Sequence, residues 1–303
     1  MKIASGHFID LENHFIHRIQ SSFKGVINNL TYGLYPRGEL NESIPQFSIS
    51  FAENKIRPVR DIFALTPDGY LISLPANLEF SIAKPLTEAA YYYLVIGIKP
   101  FERVPFGLID EGENPLRFPD VIPEYQFSLV PQNLNTLHSL GNCVVPVGKY
   151  SGLTFDEDKS YIPPCSSIQV HPALLECYNS LHLTFNELEK KVVELLGKQN
   201  VANRMTLINL LNFFNENKTA FEWYVPFQPP VFLVESVVKV ARIIYYTSEI
   251  QNAPLKDDVK SLLQGIMSFE YNHLEIAKAV GMAKTFTDNY QKFLPKLDNI
   301  FGV

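Results

Sequence analysis

Cysteine is scarce in this chain, and no stretch of five or six like charges appears in it. The three cysteines, Cys143, Cys165 and Cys177, are odd in number and nowhere spaced CxxC. That argues against a disulfide framework and against zinc ligation, and points to a reducing, cytosolic compartment. With 26 basic against 32 acidic residues the formal net charge is -6, and no basic stripe is present. Such a balance speaks against a nucleic-acid coat or a polybasic membrane anchor. Long apolar runs are missing too: YYYLVIGI at 91–98 is far too short to span a bilayer. Ser5, Gly6, His7 and Asp10 interrupt the start of the chain, so no signal peptide is expected there. Three Asn-x-Ser/Thr triplets, at Asn29, Asn41 and Asn217, carry no weight without one.

The motifs of common chemistries are equally absent. PVGKYSG at 146–152 has the lysine of a phosphate loop but not its glycine spacing, and GxGxxG, HExxH, GxSxG and EF-hand patterns do not occur. Cys165 and Cys177 read as small apolar residues near a helix start, not as nucleophiles.

What is present falls into two parts of different grammar. With 303 residues, 46% of them hydrophobic, the chain can hold one large domain or two ordinary ones. Before residue 165, short apolar runs alternate with proline and glycine. QFSISF at 46–51, DIFALT at 61–66, YLISLP at 70–75, YYYLVIGI, EYQFSLV at 124–130 and NCVVPV at 142–147 predict strands. TPDG at 66–69, with proline second and glycine fourth, predicts a hairpin turn. The expectation is an N-terminal antiparallel β-sandwich domain over 1–164, followed by a helical bundle over 165–303, an α+β chain overall.

In the second part, Pro172 reads as a first-turn proline and Gly197 as the glycine after a helix end. Between them Leu174, Tyr178, Leu181, Phe185, Leu188, Val192 and Leu195 follow spacings of 4, 3, 4, 3, 4, 3. That strict heptad seam is the pattern of a helix that clasps other helices: an intrachain core is the usual reading of such a stripe, and an interface between copies is the one expected here, in part on a family resemblance. Further helices are predicted at about 203–220, with Met205, Ile208, Leu211 and Phe214 inward, and from Pro230 to about 249, with Val234, Val237, Ala241 and Ile244 inward. Two more are predicted at about 255–282 and 284–299, the last with Phe286, Tyr290, Phe293 and Leu297 on one face.

The N-terminal stretch GHFIDLENHFIHR, residues 6–18, gathers His7, His14 and His17 with Asp10 and Glu12. His14 and His17 have the spacing of a helical metal pair. Phe8, Ile9, Leu11, Phe15 and Ile16 crowd the same turns, however, and a short amphipathic segment docking its aromatics on the β domain accounts for the pattern with less. No metal and no cofactor is assigned.

Three segments resemble the TssK family of type VI secretion baseplate components: Gly6-His7-Phe8-Ile9 with His14-Phe15, the junction Tyr161-Ile162-Pro163-Pro164-Cys165 with Ile168 and Pro172, and Gln228-Pro229-Pro230-Val231-Phe232 ahead of a helix. The PPC junction is the most specific of them, and His171 departs from the small residue that the family tends to place there. The resemblance implies a non-enzymatic β "shell" and helical "neck" that form a homotrimer. It also implies attachment to wedge proteins of the TssF/TssG kind through N-terminal parts, with Phe8, Leu11, His14 and Phe15 as partner-contact residues. It implies a cytoplasmic baseplate position, at the inner face of the inner membrane, without direct membrane insertion or nucleic acid. The chain stops at Val303, about where the neck would end, so the family's further "head" domain is not expected and contact with the membrane complex is in doubt. Two rival readings stay open. A receptor- or carbohydrate-binding module, suggested by fifteen tyrosines, would give hits on a glycan array. An enzyme using the histidine cluster would hold stoichiometric metal.

Overall fold

The structure, a computed structural model, describes residues 5–36, 49–52, 55–82, 89–108, 112, 120–132, 141–152, 156–197, 204–250 and 255–293. The chain divides into two compact units, Met1–Ser166 and Ser167–Val303.

The first unit opens with helix α1 (Ser5–Lys24). Nine described strands follow: β1 (Gly33–Leu34), β2 (Ile49–Ala52), β3 (Lys55–Pro58), β4 (Ile62–Leu65), β5 (Leu71–Leu74), β6 (Phe80–Ser81), β7 (Tyr91–Phe106), β8 (Asp120–Pro131) and β9 (Val144–Ser151). They form three antiparallel sheets, ordered β1-β4-β5, β2-β3-β6 and β8-β7-β9. Every strand segment read from the sequence coincides at least in part with one of these, while β1, β3 and β6 lack an alternating run long enough to be read. β3 and β5 alternate exposed and buried residues, so each covers a core on one face only. β7 is the central strand of its sheet, and its run from Tyr92 to Ile96 is buried on both faces, which is why its sequence is apolar without alternation.

The TPDG turn forms as its residues dictate. The Gly69 amide donates to the Thr66 carbonyl at 2.9 Å, and the Thr66 hydroxyl accepts from the Tyr70 amide at 3.0 Å. Gly69 takes φ +84°, which pairs Leu65 with Leu71 across the hairpin. Tyr125 of β8 brackets Ser73 of β5, its hydroxyl accepting from the Ser73 amide at 3.3 Å and donating to its carbonyl at 3.1 Å. At the PPC junction, the Leu34 amide donates to the Pro164 carbonyl at 2.7 Å, and the Ser166 amide and hydroxyl both donate to the Leu34 carbonyl, at 2.9 and 2.8 Å. The double proline thus holds an extended chain that pairs in parallel with β1 through Cys165.

The second unit is a bundle of α2 (Pro172–Leu196), α3 (Arg204–Trp223), α4 (Val231–Ile250), α5 (Asp257–Met267) and α6 (Ile276–Asn289), with 3-10 turns at Ile168–Val170, Val225–Phe227 and Tyr290–Phe293. Pro172 occupies the first turn of α2, and Nδ1 of His171 caps the helix by accepting from the Ala173 amide at 3.3 Å. Gly197 follows the helix, but at φ -68°, a right-handed conformation any residue adopts, not the left-handed cap its position suggested.

The heptad seam is packed within the single chain. Leu174, Tyr178, Leu181, Phe185, Leu188, Val192 and Leu195 are each at most 8% exposed in a single chain. Phe185 touches Phe214 and Phe221 of α3 and Phe286 of α6, with ring centroids 5.0–6.0 Å apart, and Tyr178 stacks on Phe221 at 5.2 Å. A 3-4 spacing is what any long helix needs when its own chain covers one narrow face. These side chains are core, and with the bundle intact none of them has a face to offer a second copy.

Two other expectations shift. On α3 the buried residues are Thr206, Leu207, Leu210, Phe214 and Phe221, whereas Met205 is exposed and Ile208 and Leu211 are only half-buried. A strict period of three drifts around a helix of 3.6 residues per turn, so only Phe214 of the predicted set lies in the core. The α4 face, Val234, Val237, Ala241 and Ile244, is buried as expected. The helical stretch predicted from 255 to 282 is broken after Met267, and α6 runs on to Asn289. In the break, the Asn272 side chain accepts from the Leu274 amide at 3.0 Å, a local turn that competes with the helix, and buried His273 meets the Tyr271 hydroxyl at 2.7 Å. Phe286 and Phe293 are buried as a pair, with ring centroids 5.4 Å apart, while Leu297 lies outside the described residues.

Candidate functional site

The site begins with a proline inside a strand. Pro100 has no amide to give the β7–β8 ladder, and the register shifts between Lys99 and Arg103. Lys99 closes the base of the bulge with Glu102 at 3.1 Å and Glu124 at 3.0 Å. The carboxylate contacts hold the Lys99 ammonium above its ordinary range, with the Glu124 hydrogen bond the larger cause. Phe101 falls in the stretch between the two registers, Arg103 resumes the pairing opposite Pro123, and α1 lies against both side chains.

Four contacts hold the helix. His17 lies against the Phe101 ring with centroids 4.7 Å apart, and Tyr70 meets the same ring edge-on at 6.3 Å. Arg103 Nη2 reaches Glu12 at 3.3 Å. The Gln20 amide nitrogen donates to the Asp68 carbonyl at 3.0 Å, and Lys24 approaches the Asp68 carboxylate at 3.5 Å. The TPDG turn passes so close beneath α1 that a Cβ on Gly69 would lie 2.9 Å from the Gln20 carbonyl and 3.0 Å from the Lys24 nitrogen. Burial, with Cys143 and Asp68 adding to it, pushes the Tyr70 hydroxyl above its usual range. Among the described residues, neither Asn13 Oδ1 nor Arg103 Nε, both buried, has a hydrogen-bond partner.

The helix turns only Asn13, Ile16, Gln20 and Phe23 partly out of solvent. Phe8, Leu11, Phe15 and Ile19 remain between 49% and 63% exposed. At 3.6 residues per turn, these four fall within an arc of about 80°, so they form one continuous apolar stripe. The expectation that the N-terminal aromatics dock on the β domain holds for the His17 ring, which meets Phe101, but not for Phe8 and Phe15, which face solvent. A stripe of this kind is suited to lie in the groove of another protein and has nothing with which to make or break a covalent bond.

Of the residues singled out in the sequence, Phe8, Leu11, His14 and Phe15 share this exposed helix, with His14 beside Phe15 at a centroid distance of 6.5 Å. Ile19 extends the stripe, and carrying the spacing four residues past Phe15 would have found it. Asp68, Phe101 and Arg103 had no such signal, because they come to α1 only through the fold. Among the described residues, no group of three or more His, Cys, Asp or Glu side chains is placed to hold a metal ion. All three cysteines are free thiols, with Cys165 and Cys177 buried. No helix of the described residues is long and apolar enough to cross a membrane.

No family model and no curated protein matches this sequence. Solved structures do. A crystal structure of TssK superposes on 99% of this chain and 69% of its own, with a TM-score of 0.56 at 13% identity. TssK from the T6SS of EAEC, in complex with a nanobody, matches over 93% of this chain and 98% of its own, with a TM-score of 0.59 at 13% identity. A chain of the TssK-TssF-TssG baseplate subcomplex, seen by cryo-electron microscopy, matches over 95% and 96%, with a TM-score of 0.56 at 11% identity. The fold of this chain is the TssK fold through both units.

Proposed function

We propose that the protein is a structural component of a type VI secretion baseplate, acting through protein–protein contact and not through catalysis. The observation that carries the reading is the likeness of nearly the whole chain to TssK structures, one of them in complex with TssF and TssG. Such a likeness shows the fold; the role is inferred from it together with the exposed apolar stripe on α1. In this reading residues 1–164 serve as the shell domain, their small sheets layered as a sandwich, and 165–303 as the neck. Phe8, Leu11, His14 and Phe15 contact a wedge partner of the TssF/TssG kind. The protein works as a homotrimer in the cytoplasm, against the inner face of the inner membrane. The trimer contacts then fall on exposed residues, because the α2 seam is spent inside one chain.

Co-expression with the TssF- and TssG-like proteins of the same organism tests the reading. A complex that survives size exclusion is expected, and Phe8→Asp with Phe15→Asp should release it while leaving the fold intact. Failure of the wild-type chain to bind either protein would overturn the baseplate role. Light scattering of the isolated protein tests the trimer, and a monomeric mass at micromolar concentration would remove it.

A further inference from the structure

In the helical unit, α2, α3 and α4 part to leave a groove of about 240 Å³. Phe185, Phe213, Phe214, Phe221 and Phe232 line its floor. Three carboxylates stand at its rim. Glu189 is paired with Lys218 at 2.5 Å and Glu235 with Lys239 at 2.7 Å. Glu222 is different: among the described residues its only ion-pair partner is the His182 ring, 3.2 Å away through Nε2. The same ring nitrogen lies 3.1 Å from the Asn186 side-chain nitrogen, itself a donor, so it either accepts from Asn186 or donates to Glu222 and cannot do both. A carboxylate has about four acceptor sites, and Glu222 fills one of them. It is half-buried, at the edge of an aromatic surface whose ring faces are themselves attractive to cations.

We propose that this groove docks a cationic side chain of a partner polypeptide, an arginine or lysine whose stem lies on the phenylalanine floor and whose head meets Glu222. A neutral occupant would desolvate Glu222 without giving it a partner, and an anion would meet Glu222 and two lysines already paired with Glu189 and Glu235. Arginine fits best, because its guanidinium both stacks on aromatic rings and binds a carboxylate in two-point fashion. The site is separate from the α1 stripe, and the proposal stands or falls independently of the baseplate role.

Binding is read by isothermal titration calorimetry. The probes are a capped Leu-Arg-Leu peptide, the same peptide with citrulline in place of arginine, and arginine amide alone, each titrated into the full chain. A saturable signal is expected with the arginine peptide. It should be weaker by about tenfold or more with the citrulline peptide and in Glu222→Gln, the loss that follows from removing one charged hydrogen bond. Ser236→Phe, which fills the groove without touching Glu222, should abolish the signal, and a thermal melt of each variant separates loss of binding from loss of fold. Equal binding of the citrulline peptide, or no saturable response to the arginine peptide, would overturn the charge argument. Arginine amide binding as tightly as the peptide would overturn the docking role in favour of a small-molecule site.

Discussion

Gly33 and Pro164 approach so closely that a Cβ on the glycine would lie 2.1 Å from the proline carbonyl oxygen. That same oxygen accepts the Leu34 amide, so the contact is the first rung of the pairing between β1 and the PPC segment. Gly33 also sits at φ +115°, where an L side chain is strained whatever the space. Gly33→Ala is expected to cost about 2 kcal/mol or more, combining strain with loss of the rung. Urea unfolding of the variant checks this, and a loss below about 0.5 kcal/mol would show that the backbone shifts freely there.

His171 caps α2 through an unprotonated Nδ1, and burial lowers its pKa from the ordinary 6.5. The folded protein therefore favours the neutral ring. The cap's contribution is present above about pH 6.5 and is lost as the pH falls below that toward the folded value. His171→Ala should lose about 1 kcal/mol at pH 7.5 and less at low pH. His171→Asn keeps a capping side chain that does not titrate, so its melting temperature should fall less than the wild type's between about pH 7 and pH 5. Parallel pH profiles for wild type and Asn variant would sink the assignment.

The α2 seam predicts instability, not dissociation. Leu181→Ala and Leu188→Ala, at positions with no exposed surface, should each cost about 2–5 kcal/mol. Placing aspartate at both should prevent the bundle from folding. Circular dichroism decides the matter: a helical, folded double variant with merely a smaller mass would return the seam to an interface between copies.

The outer stripe of α1 should behave in the opposite way. Phe8→Asp and Phe15→Asp alter exposed positions and should change the melting temperature by no more than about 2 °C, corresponding to about 0.5 kcal/mol. Gly69→Val pushes against the backbone of α1 at Gln20 and Lys24 and should lift the helix from its platform. Trypsin would then cut after Arg18 and Lys24 faster than in the wild type, and an unchanged digestion pattern would show that α1 does not depend on that close approach.

The sequence exposed the elements whose causes are local. Pro67 and Gly69 specify their own turn, Pro172 and the capping atom of His171 start α2, and the alternation of YLISLP fixes a strand. Helix faces were legible where the apolar spacing alternates between three and four, as on α4, and misread where a period of three coincided by chance, as on α3. The α2 seam was legible as a covered face but not as to what covers it, because a heptad pattern records only that one face is covered and not which chain covers it. For the same reason the platform under α1 was out of reach. Phe101 and Arg103 lie more than seventy residues from the helix they support, and no pattern along the chain joins them.

Because α1 rests on the sheet through a few half-buried side chains and a handful of polar contacts, its outward residues are nearly decoupled from the stability of the rest. Substitutions there alter what the surface recognises at little cost to folding. A lineage could therefore retune its choice of partner on this helix, one residue at a time, while the β unit beneath stays unchanged.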